Sequence, residues 1–301
     1  MPRGNRRQRL SGARTYGRYP SLCRPGRGST GIDLSGTVDD GLIASITDAL
    51  LENHVLVIRD QNLTPEQQVN FSKRFGELVV RVSGEFLHPE FPEVLILSNR
   101  QVDGEYQGAT GAYAGELWHT DLTYAERPSL GSMLHALEVA DEGGDTAWAN
   151  MYLAYETLPE ETRKRIAGLK AIHVRDRRRN PRGMPGEGFD RDVNEYYSID
   201  VPDSVHPLVR THPVTGRKSL FVTPRFAVAI EGMEDADAQP LLDELFAHQI
   251  NPDFIYRHKW SVGDLVFWDN RCTQHHAVWD YYPHSRYGER VSVVADSRPA
   301  S

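Results

Sequence analysis

The chain has 301 residues, 39% of them hydrophobic, and a formal net charge of −8 at pH 7. This length and composition predict one large domain with a sizeable core. The longest apolar runs, such as HVLVIRD and VLILS, have the length of strands, which excludes a membrane-spanning helix. The acidic balance argues against nucleic acid as the main partner.

The two cysteines, Cys23 and Cys272, are too few for a disulfide framework or a cysteine-based zinc site. They favour a reducing, cytoplasmic compartment, and they leave any metal chemistry to histidines and carboxylates. Residues 1–28 contain eight arginines and no acidic residue. A transit peptide, a nucleic-acid-binding arm and a disordered leader all fit that composition. The lack of an apolar period favours a disordered leader, followed by a single domain over residues 29–301.

The first elements predicted are a helix, a buried strand and a second helix. Apolar residues recur at helical spacing from Thr37 to Asn53, and the next seven residues form an apolar run typical of a strand. In TPEQQVNFSKRFGE, Thr64 is a predicted N-cap, Gln67 is placed to complete a capping box, and Gly76 is a predicted terminator.

The segment from Ser83 to Gly115 is rich in Gly, Glu, Tyr and Pro and has little periodicity apart from VLILS. Long loops inside compact domains are often functional, so we expect an active-site lid over residues 83–115. An insertion without a role is the alternative.

The second half of the chain is predicted to be mainly β. Strand-like stretches separated by turn signals include SMLHALEV, EGGDTAWAN, RKSLFV, YRHKWSVGDLVFWDN and ERVSVVAD. Helices are predicted from Leu153 to Gly168 and from Asp235 to His248. Many short strands with flanking helices predict a double-stranded β-helix, that is, a jelly-roll barrel.

A metal site is indicated by ELWHTDLTY, in which His119 and Asp121 would share one face of a strand. A histidine from a distant strand would complete a set of two histidines and one carboxylate, which leaves metal positions open for other ligands. RCTQHHAVWDY offers His275 and His276. Adjacent strand residues face opposite sides, so spacing alone leaves the choice between them open.

The His-x-Asp/Glu pattern by itself is weak, because a chain of this composition contains it by chance. His88 and Glu90 also match it. The intervening Pro89 fits a loop better than a central strand, so this pair is the less favoured candidate.

Several longer pieces together resemble one family over most of the chain after Gly31. They are GIDLSG, VLVIRDQNLTPEQQVNFSKRFGEL, WHTDLTY, the GGDT turn with MYLAYETLP, and GDLVFWDNRCTQHHAVWDYYPHSRYGERVSVV. The sequence is similar to the taurine dioxygenase family, which includes aryloxyalkanoate and alkylsulfate dioxygenases. The resemblance implies an Fe(II)- and 2-oxoglutarate-dependent dioxygenase that hydroxylates a small, anionic substrate and releases succinate and CO2.

The resemblance also implies roles for particular residues. The metal ligands would be His119, Asp121 and His275, not His276. Trp268 would lie near the metal.

Thr146 and Arg286 would bind the distal carboxylate of 2-oxoglutarate, a role for which a guanidinium offers planar, bidentate donors. Arg290 matches a position that helps to bind the anionic head of the substrate, although some relatives use that arginine to shape the metal site. The family also suggests a dimer or tetramer.

Two other functions remain open at this point. A zinc-type metallohydrolase could use the same His/Asp/His site, but it would give Thr146 and Arg286 no purpose. A non-hydroxylating oxidase could be built on the same scaffold.

Overall fold

The computed structural model describes residues 32–80, 86–109, 117–175 and 201–301. The Arg-rich leader and parts of the predicted lid lie outside the described residues. The helices within them are α1 Asp40–Asn53, α2 Pro65–Ser72, α3 Met151–Glu156, α4 Glu160–Ile166 and α5 Asp235–Gln249. A search of these residues finds no helix that is both long and apolar enough to cross a membrane.

The strands are short and mostly lie in the second half of the chain, as predicted. In chain order they are β1 Val55–Ile58, β2 Val94–Ser98, β3 Gln101–Val102, β4 Glu105–Tyr106, β5 Ser129–Glu138, β6 Thr146–Asn150, β7 Lys170–His173, β8 Ser204–Pro207, β9 Val209–Thr211, β10 Lys218–Leu220, β11 Ala227–Ile230, β12 Ile255–His258, β13 Leu265–Asp269, β14 Thr273–Ala277 and β15 Tyr287–Val294.

The helix starts follow the capping signals of the sequence. α1 begins after Asp39, whose side chain accepts a hydrogen bond of 2.7 Å from the backbone N–H of Leu42. α2 has the predicted capping box, because Thr64 and Gln67 each accept a backbone hydrogen bond from the other. After a 3-10 turn the chain leaves the helix at Gly76, whose φ of 144° suits glycine.

The single helix predicted from Leu153 to Gly168 is wrong, since the structure has two helices there, α3 and α4. The backbone N–H of Thr157 bonds to Leu153 and closes the first helix. Pro159 then precedes the first residue of α4. A proline lacks the N–H that an uninterrupted helix would need at this point.

The largest sheet is antiparallel and has the strand order β1-β13-β5-β15-β2. Its residues alternate between two faces, as the pleat requires. On one face Leu56, Phe267 and Met133 pack against α1 and α2, where Ile46 and Phe71 are buried. The other face carries a separate apolar cluster that packs against a smaller sheet.

The smaller sheet has the order β12-β6-β14 and carries Trp148 at its centre. The Trp148 ring lies 5.6 Å from the Trp268 ring of β13 and 6.4 Å from the Trp260 ring. These contacts join the two sheets in a sandwich. The mainly β class is confirmed, but the described strands form separate sheets and do not close into the predicted barrel.

A second core covers the smaller sheet on its far side. Its buried residues come from α3, α4 and α5 and from β6, β7, β9, β10 and β11. Alternation along β6 explains the arrangement, because Trp148 points to the large sheet whereas Ala149 belongs to this second core. The smaller sheet is therefore held between the large sheet and the helices.

Acid should destabilise this fold through His173, which ends β7 and is fully buried. Burial, followed by the neighbouring His206, lowers the pKa of His173 from 6.5 to about 3. Because the neutral ring is favoured in the folded state, its contribution is complete above pH 6.5 and is lost as the pH falls toward 3. Between pH 7 and pH 5 this loss is about 2 kcal/mol.

The substitution His173→Phe should therefore flatten the pH dependence of the free energy of unfolding, measured by urea denaturation at pH 7 and pH 5. An equally steep slope in His173→Phe would refute the assignment.

Candidate active site

The two candidate histidines meet at the edge of the smaller sheet. His119 and His275 exchange both backbone hydrogen bonds in an isolated antiparallel bridge, with N–O distances of 3.0 and 2.7 Å. His275 lies within β14. The hydroxyl of Thr120 donates to the carbonyl of Thr273 at 2.7 Å and ties the segment to the same strand. Backbone pairing thus places both imidazoles side by side, with ring centroids 4.2 Å apart.

The expectation that His119 and Asp121 share one strand is wrong. His119 belongs to a single bridge, and Asp121 begins a turn in which Leu122 has a φ of 59°. The turn still brings the carboxylate back to the imidazoles. The two side chains predicted to share one strand face therefore come together through a different backbone conformation.

His119, Asp121 and His275 form a compact cluster of possible metal ligands. Their donor atoms all lie within 4.8 Å of one another. Asp121 Oδ1 is 3.8 Å from Nε2 of His119 and 3.9 Å from Nε2 of His275. All three residues are buried, with 2%, 4% and 5% of their surface exposed. A search of the described residues finds this group alone.

The neighbouring histidine lies on the other side of the strand. The ring of His276 stacks on Trp118 at a centroid distance of 5.5 Å, whereas the ring of His275 faces Trp268 at 5.0 Å. Alternation along β14 therefore resolves the choice that spacing left open. The alternative pair, His88 and Glu90, precedes this cluster in the sequence and lies in a loop, where Glu90 is exposed.

Protonation in the cluster suits metal binding. Burial lowers the pKa of His275 to about 4 and holds the pKa of His119 well below its usual range. Burial opposes the ionisation of Asp121, but Arg290 and the two histidines outweigh it and lower the pKa of that carboxyl. Neutral imidazoles and an ionised carboxylate are the forms that ligate metals. These donors therefore fit a divalent ion.

A cavity adjoins the cluster and brings the other predicted residues to it. It is lined by residues of the five-stranded sheet and of the smaller sheet, including His119, His275, Thr146, Arg286 and Arg290. Its empty space, with the open mouth included, is about 520 Å³. The apolar wall is formed by Leu97, Ala109, Leu134, Trp148, Trp268 and Ala277.

Thr146 owes its position to the GGDT turn. Gly143 and Gly144 both have positive φ, and a Cβ on Gly143 would lie 2.5 Å from Asp280 Oδ1. Immediately after this turn, Thr146 opens β6, and its hydroxyl accepts a hydrogen bond of 3.0 Å from Trp260 Nε1. The indole can only donate, so the threonine keeps its own hydroxyl hydrogen for another acceptor.

Arg286 lies at the same end of the cavity. The end of β2 holds its backbone, because Asn99 accepts from its N–H at 2.9 Å and Ser98 donates to its carbonyl at 2.9 Å. Its Nη1 donates to the carbonyl of Gly144 at 3.3 Å, and its guanidinium lies 5.4 Å from the Tyr281 ring centre. These bonds fix the backbone of Arg286, and the residue lines the cavity.

Arg290 lies deeper, beside the candidate ligands. Its Nη1 donates to Asp121 Oδ1 at 3.0 Å, and the residue is 7% exposed. It also lines the cavity. This position is compatible with both roles that the family resemblance offered, an anion-binding residue and a residue that shapes the metal site.

Sequence reasoning missed several residues of the site. Asn270 and Ser132 contact the carboxylate of Asp121, and Trp260 bonds to Thr146. The sequence did contain a signal for Ser132, because it is a polar residue on the same strand face as the buried, apolar Leu134 and Ala136. The charge of Arg225, which helps to lower the pKa of both histidines, had no such signal in the sequence.

Comparison with known proteins agrees with this geometry. The pattern of the taurine catabolism dioxygenase TauD, TfdA family matches residues 21–292. The chain belongs to the taurine dioxygenase family. Members of this family are 2-oxoglutarate-dependent dioxygenases, so the enzyme class predicted from the sequence is confirmed.

Two relatives illustrate the similarity in sequence. The chain is 36% identical, over 250 residues, to an alpha-ketoglutarate-dependent 2,4-dichlorophenoxyacetate dioxygenase from Burkholderia sp. (strain RASC), with 80% of this chain and 82% of that one covered. It is 32% identical, over 282 residues, to an alpha-ketoglutarate-dependent sulfate ester dioxygenase from Pseudomonas putida, with 92% and 89% covered.

One solved structure extends the likeness to the fold. AAD-2, in complex with Mn(II) and N-oxalylglycine, matches 91% of this chain with a TM-score of 0.75 and 30% identity, and 95% of AAD-2 is covered. Membership of the taurine dioxygenase family implies a metal ion and 2-oxoglutarate.

Proposed function

We propose that the protein is an Fe(II)- and 2-oxoglutarate-dependent dioxygenase that hydroxylates a small anionic substrate, such as a sulfonate, a sulfate ester, an aryloxyalkanoate or a carboxylate. Succinate and CO2 would be the products of 2-oxoglutarate. The proposal rests on one observation. Three possible metal ligands, His119, Asp121 and His275, converge beside a cavity that also contains Thr146 and Arg286.

The ligand set favours iron. Two imidazole nitrogens and one carboxylate oxygen on one side of a metal leave positions open for other ligands, the arrangement typical of non-haem Fe(II) oxygenases. When bound, Fe(II) with 2-oxoglutarate supplies the O2-activating chemistry that no side chain can supply. We assign His119, Asp121 and His275 as its ligands.

The far end of 2-oxoglutarate requires a counter-charge. Arg286 offers a bidentate fork and Thr146 a hydroxyl donor, and both line the cavity that begins at the two histidines. Burial of the cavity strengthens these contacts. The two residues would orient the cosubstrate so that its 2-oxo acid end faces the metal site.

The protein would also exclude water from the reacting bond. Leu97, Ala109 and Trp268 form an apolar wall next to the ligand histidines. Such a wall keeps a substrate C–H bond close to the metal while the anionic group of the substrate is bound elsewhere. Arg290 is our candidate for that group, directly or by shaping the site around Asp121.

The relatives support the choice of an anionic substrate, because they act on a chlorophenoxyacetate and on sulfate esters. A zinc-type hydrolase on the same three ligands remains the second candidate in chemical terms. It leaves Thr146 and Arg286 without a role, which is why we place it below the dioxygenase. Oxidation other than hydroxylation would use the same residues.

The experiment is anaerobic reconstitution of the purified protein with Fe(II) and 2-oxoglutarate, followed by O2 and a panel of sulfonates, sulfate esters, aryloxyacids and carboxylates. We expect a visible charge-transfer band, and succinate that rises with one class of the panel. Arg217→Ala, a change at a surface ion pair with Glu156, is the control and should behave as wild type. Hydrolysis with Zn(II) and no band with Fe(II) would overturn the proposal.

Several predictions accompany this function and rest on the sequence or the family. They are a jelly-roll arrangement of the strands, a lid over residues 83–115, a single domain over residues 29–301 after a disordered leader, a dimer or tetramer, and a cytoplasmic location. Size-exclusion chromatography with light scattering tests the oligomer.

A further inference from the structure

The two oxygens of the Asp121 carboxylate have different surroundings. Oδ1 faces Nε2 of His119 and of His275 at 3.8 and 3.9 Å and accepts from Arg290 at 3.0 Å. Oδ2 accepts from the hydroxyl of Ser132 at 2.7 Å, with the amide nitrogen of Asn270 at 3.5 Å. Oδ1 therefore faces the ligand histidines and Arg290, whereas Oδ2 faces away from the histidines, toward Ser132 and Asn270.

The donors around Oδ2 have a fixed direction. An ionised carboxylate only accepts, so the single hydroxyl hydrogen of Ser132 must point to Asp121. Ser132 then accepts from Asn270 Nδ2 at 3.0 Å and from Ser292 at 2.9 Å. The hydrogen bonds thus form a chain in one direction: Asn270 and Ser292 donate to Ser132, and Ser132 donates to Oδ2.

Asn270 links this network to the backbone of the site. Its Oδ1 accepts from the N–H of Asp121 at 3.4 Å and from Trp268 Nε1 at 3.0 Å, and its Nδ2 donates to Ser129 at 3.0 Å. Ser129, Ser132 and Asn270 are all fully buried. Since water cannot replace these partners, the network must be satisfied within the protein.

The turn that carries Asp121 cannot fix the side chain alone. Strand pairing holds the backbone of His119 and His275, whereas Asp121 lies outside any strand. Its carboxylate orientation depends on hydrogen bonds from Arg290 of β15 and Ser132 of β5, and Ser132 is held in turn by Asn270 in the turn after β13. Partners behind a metal ligand of this kind orient it and tune its basicity.

The structure assigns Ser132 and Asn270 as positioning residues: Ser132 donates to Asp121 Oδ2, and Asn270 holds Ser132 in place. Oδ1 is then the oxygen left to bind the metal, so that the carboxylate is a single-oxygen ligand. This inference rests on the proposed function, because it concerns the same metal site. Without the two donors the carboxylate can rotate and offer both oxygens, which would occupy a position that 2-oxoglutarate needs.

The test is Co(II) binding to metal-free, full-length protein, since Co(II) is stable in air and its visible absorption reports coordination number. We expect Ser132→Ala to bind Co(II) about 10- to 100-fold more weakly. Its visible bands should also be less intense, because a two-oxygen carboxylate raises the coordination number. Ser72→Ala removes an equally buried hydroxyl that bonds to the sulfur of Met133, and should match wild type.

Two further variants keep the test decisive. Asn270→Asp is nearly isosteric, keeps the acceptor for Trp268, and replaces the amide donor by a repelling oxygen. It should weaken Co(II) binding as Ser132→Ala does. If Ser132→Ala does not fold, the Co(II) affinity of Asn270→Asp tests the positioning role in its place. Ser132→Thr retains the hydroxyl and should restore most of the affinity.

The outcomes separate the inference from the proposed function. If wild type binds Co(II) and both Ser132→Ala and Asn270→Asp bind it with the same affinity and spectrum, the positioning role is overturned and the proposed function stands. If wild type itself binds no divalent metal, the proposed function is overturned, and the positioning role with it.

Discussion

His275→Ala should abolish metal binding, whereas His276→Ala should leave it intact. The two residues are adjacent on β14, but the first directs Nε2 toward Asp121 and the second stacks on Trp118. Loss of a partner behind a ligand already weakens metal binding roughly 10- to 100-fold, so loss of a ligand should exceed about 100-fold. Turnover of 2-oxoglutarate should fall below detection.

The pair can be compared because both variants should fold. The bridge between residue 275 and His119 is formed by backbone atoms, which alanine retains. His276→Ala loses a stacked ring contact worth about 0.5–1.5 kcal/mol, which should lower the melting temperature by a few degrees. Fe(II) titration under anaerobic conditions measures both proteins. The reverse result, with metal retained in His275→Ala, would remove His275 from the site.

The sequence predicted the elements whose signals are local. Thr64 and Gln67 predict the start of α2 because a capping box needs only residues three apart. The break at Pro159 was missed, although proline is a local signal, because the apolar spacing on either side continues the same helical pattern. The closed barrel predicted from strand count is a matter of long-range pairing, which short apolar runs do not encode.

The site was predicted in the same uneven way. The family motifs pointed to His119, Asp121, His275, Thr146 and Arg286. The structure brings the first three into one cluster, and His119, His275, Thr146 and Arg286 line the adjoining cavity.

Its supporting residues could not be found from the sequence. Ser132 and Asn270 are separated from Asp121 by 11 and 149 residues, so their contact depends on the fold of the large sheet. Strand periodicity places Ser132 on an inward face but does not say which residue it meets.

Arg286→Ala should weaken 2-oxoglutarate binding strongly while leaving the metal in place. Arg286 lines the far end of the cavity and has its backbone fixed by Asn99 and Ser98, so the variant should lose the guanidinium and keep the local fold. Truncating one partner of a buried, hydrogen-bonded charge pair costs about 2–4 kcal/mol, which is roughly a 30- to 1,000-fold rise in the KM for 2-oxoglutarate.

A change of cosubstrate identifies the interaction that is lost. A 2-oxo acid without the distal carboxylate has no group for Arg286 to bind, so wild type and Arg286→Ala should use it equally poorly. Arg286→Lys should fall between them, because an ammonium keeps the charge but not the planar fork.

Release of CO2 from each 2-oxo acid and Fe(II) affinity should be measured together, with Arg217→Ala as control. Arg286→Ala could retain the metal and still prefer 2-oxoglutarate over the shortened acid as strongly as wild type does. That result would show that the distal carboxylate binds elsewhere. The same variant with loss of Fe(II) would show that Arg286 supports the metal site. Preference for the distal carboxylate is therefore the quantity that separates a residue that binds cosubstrate from one that only maintains the cavity.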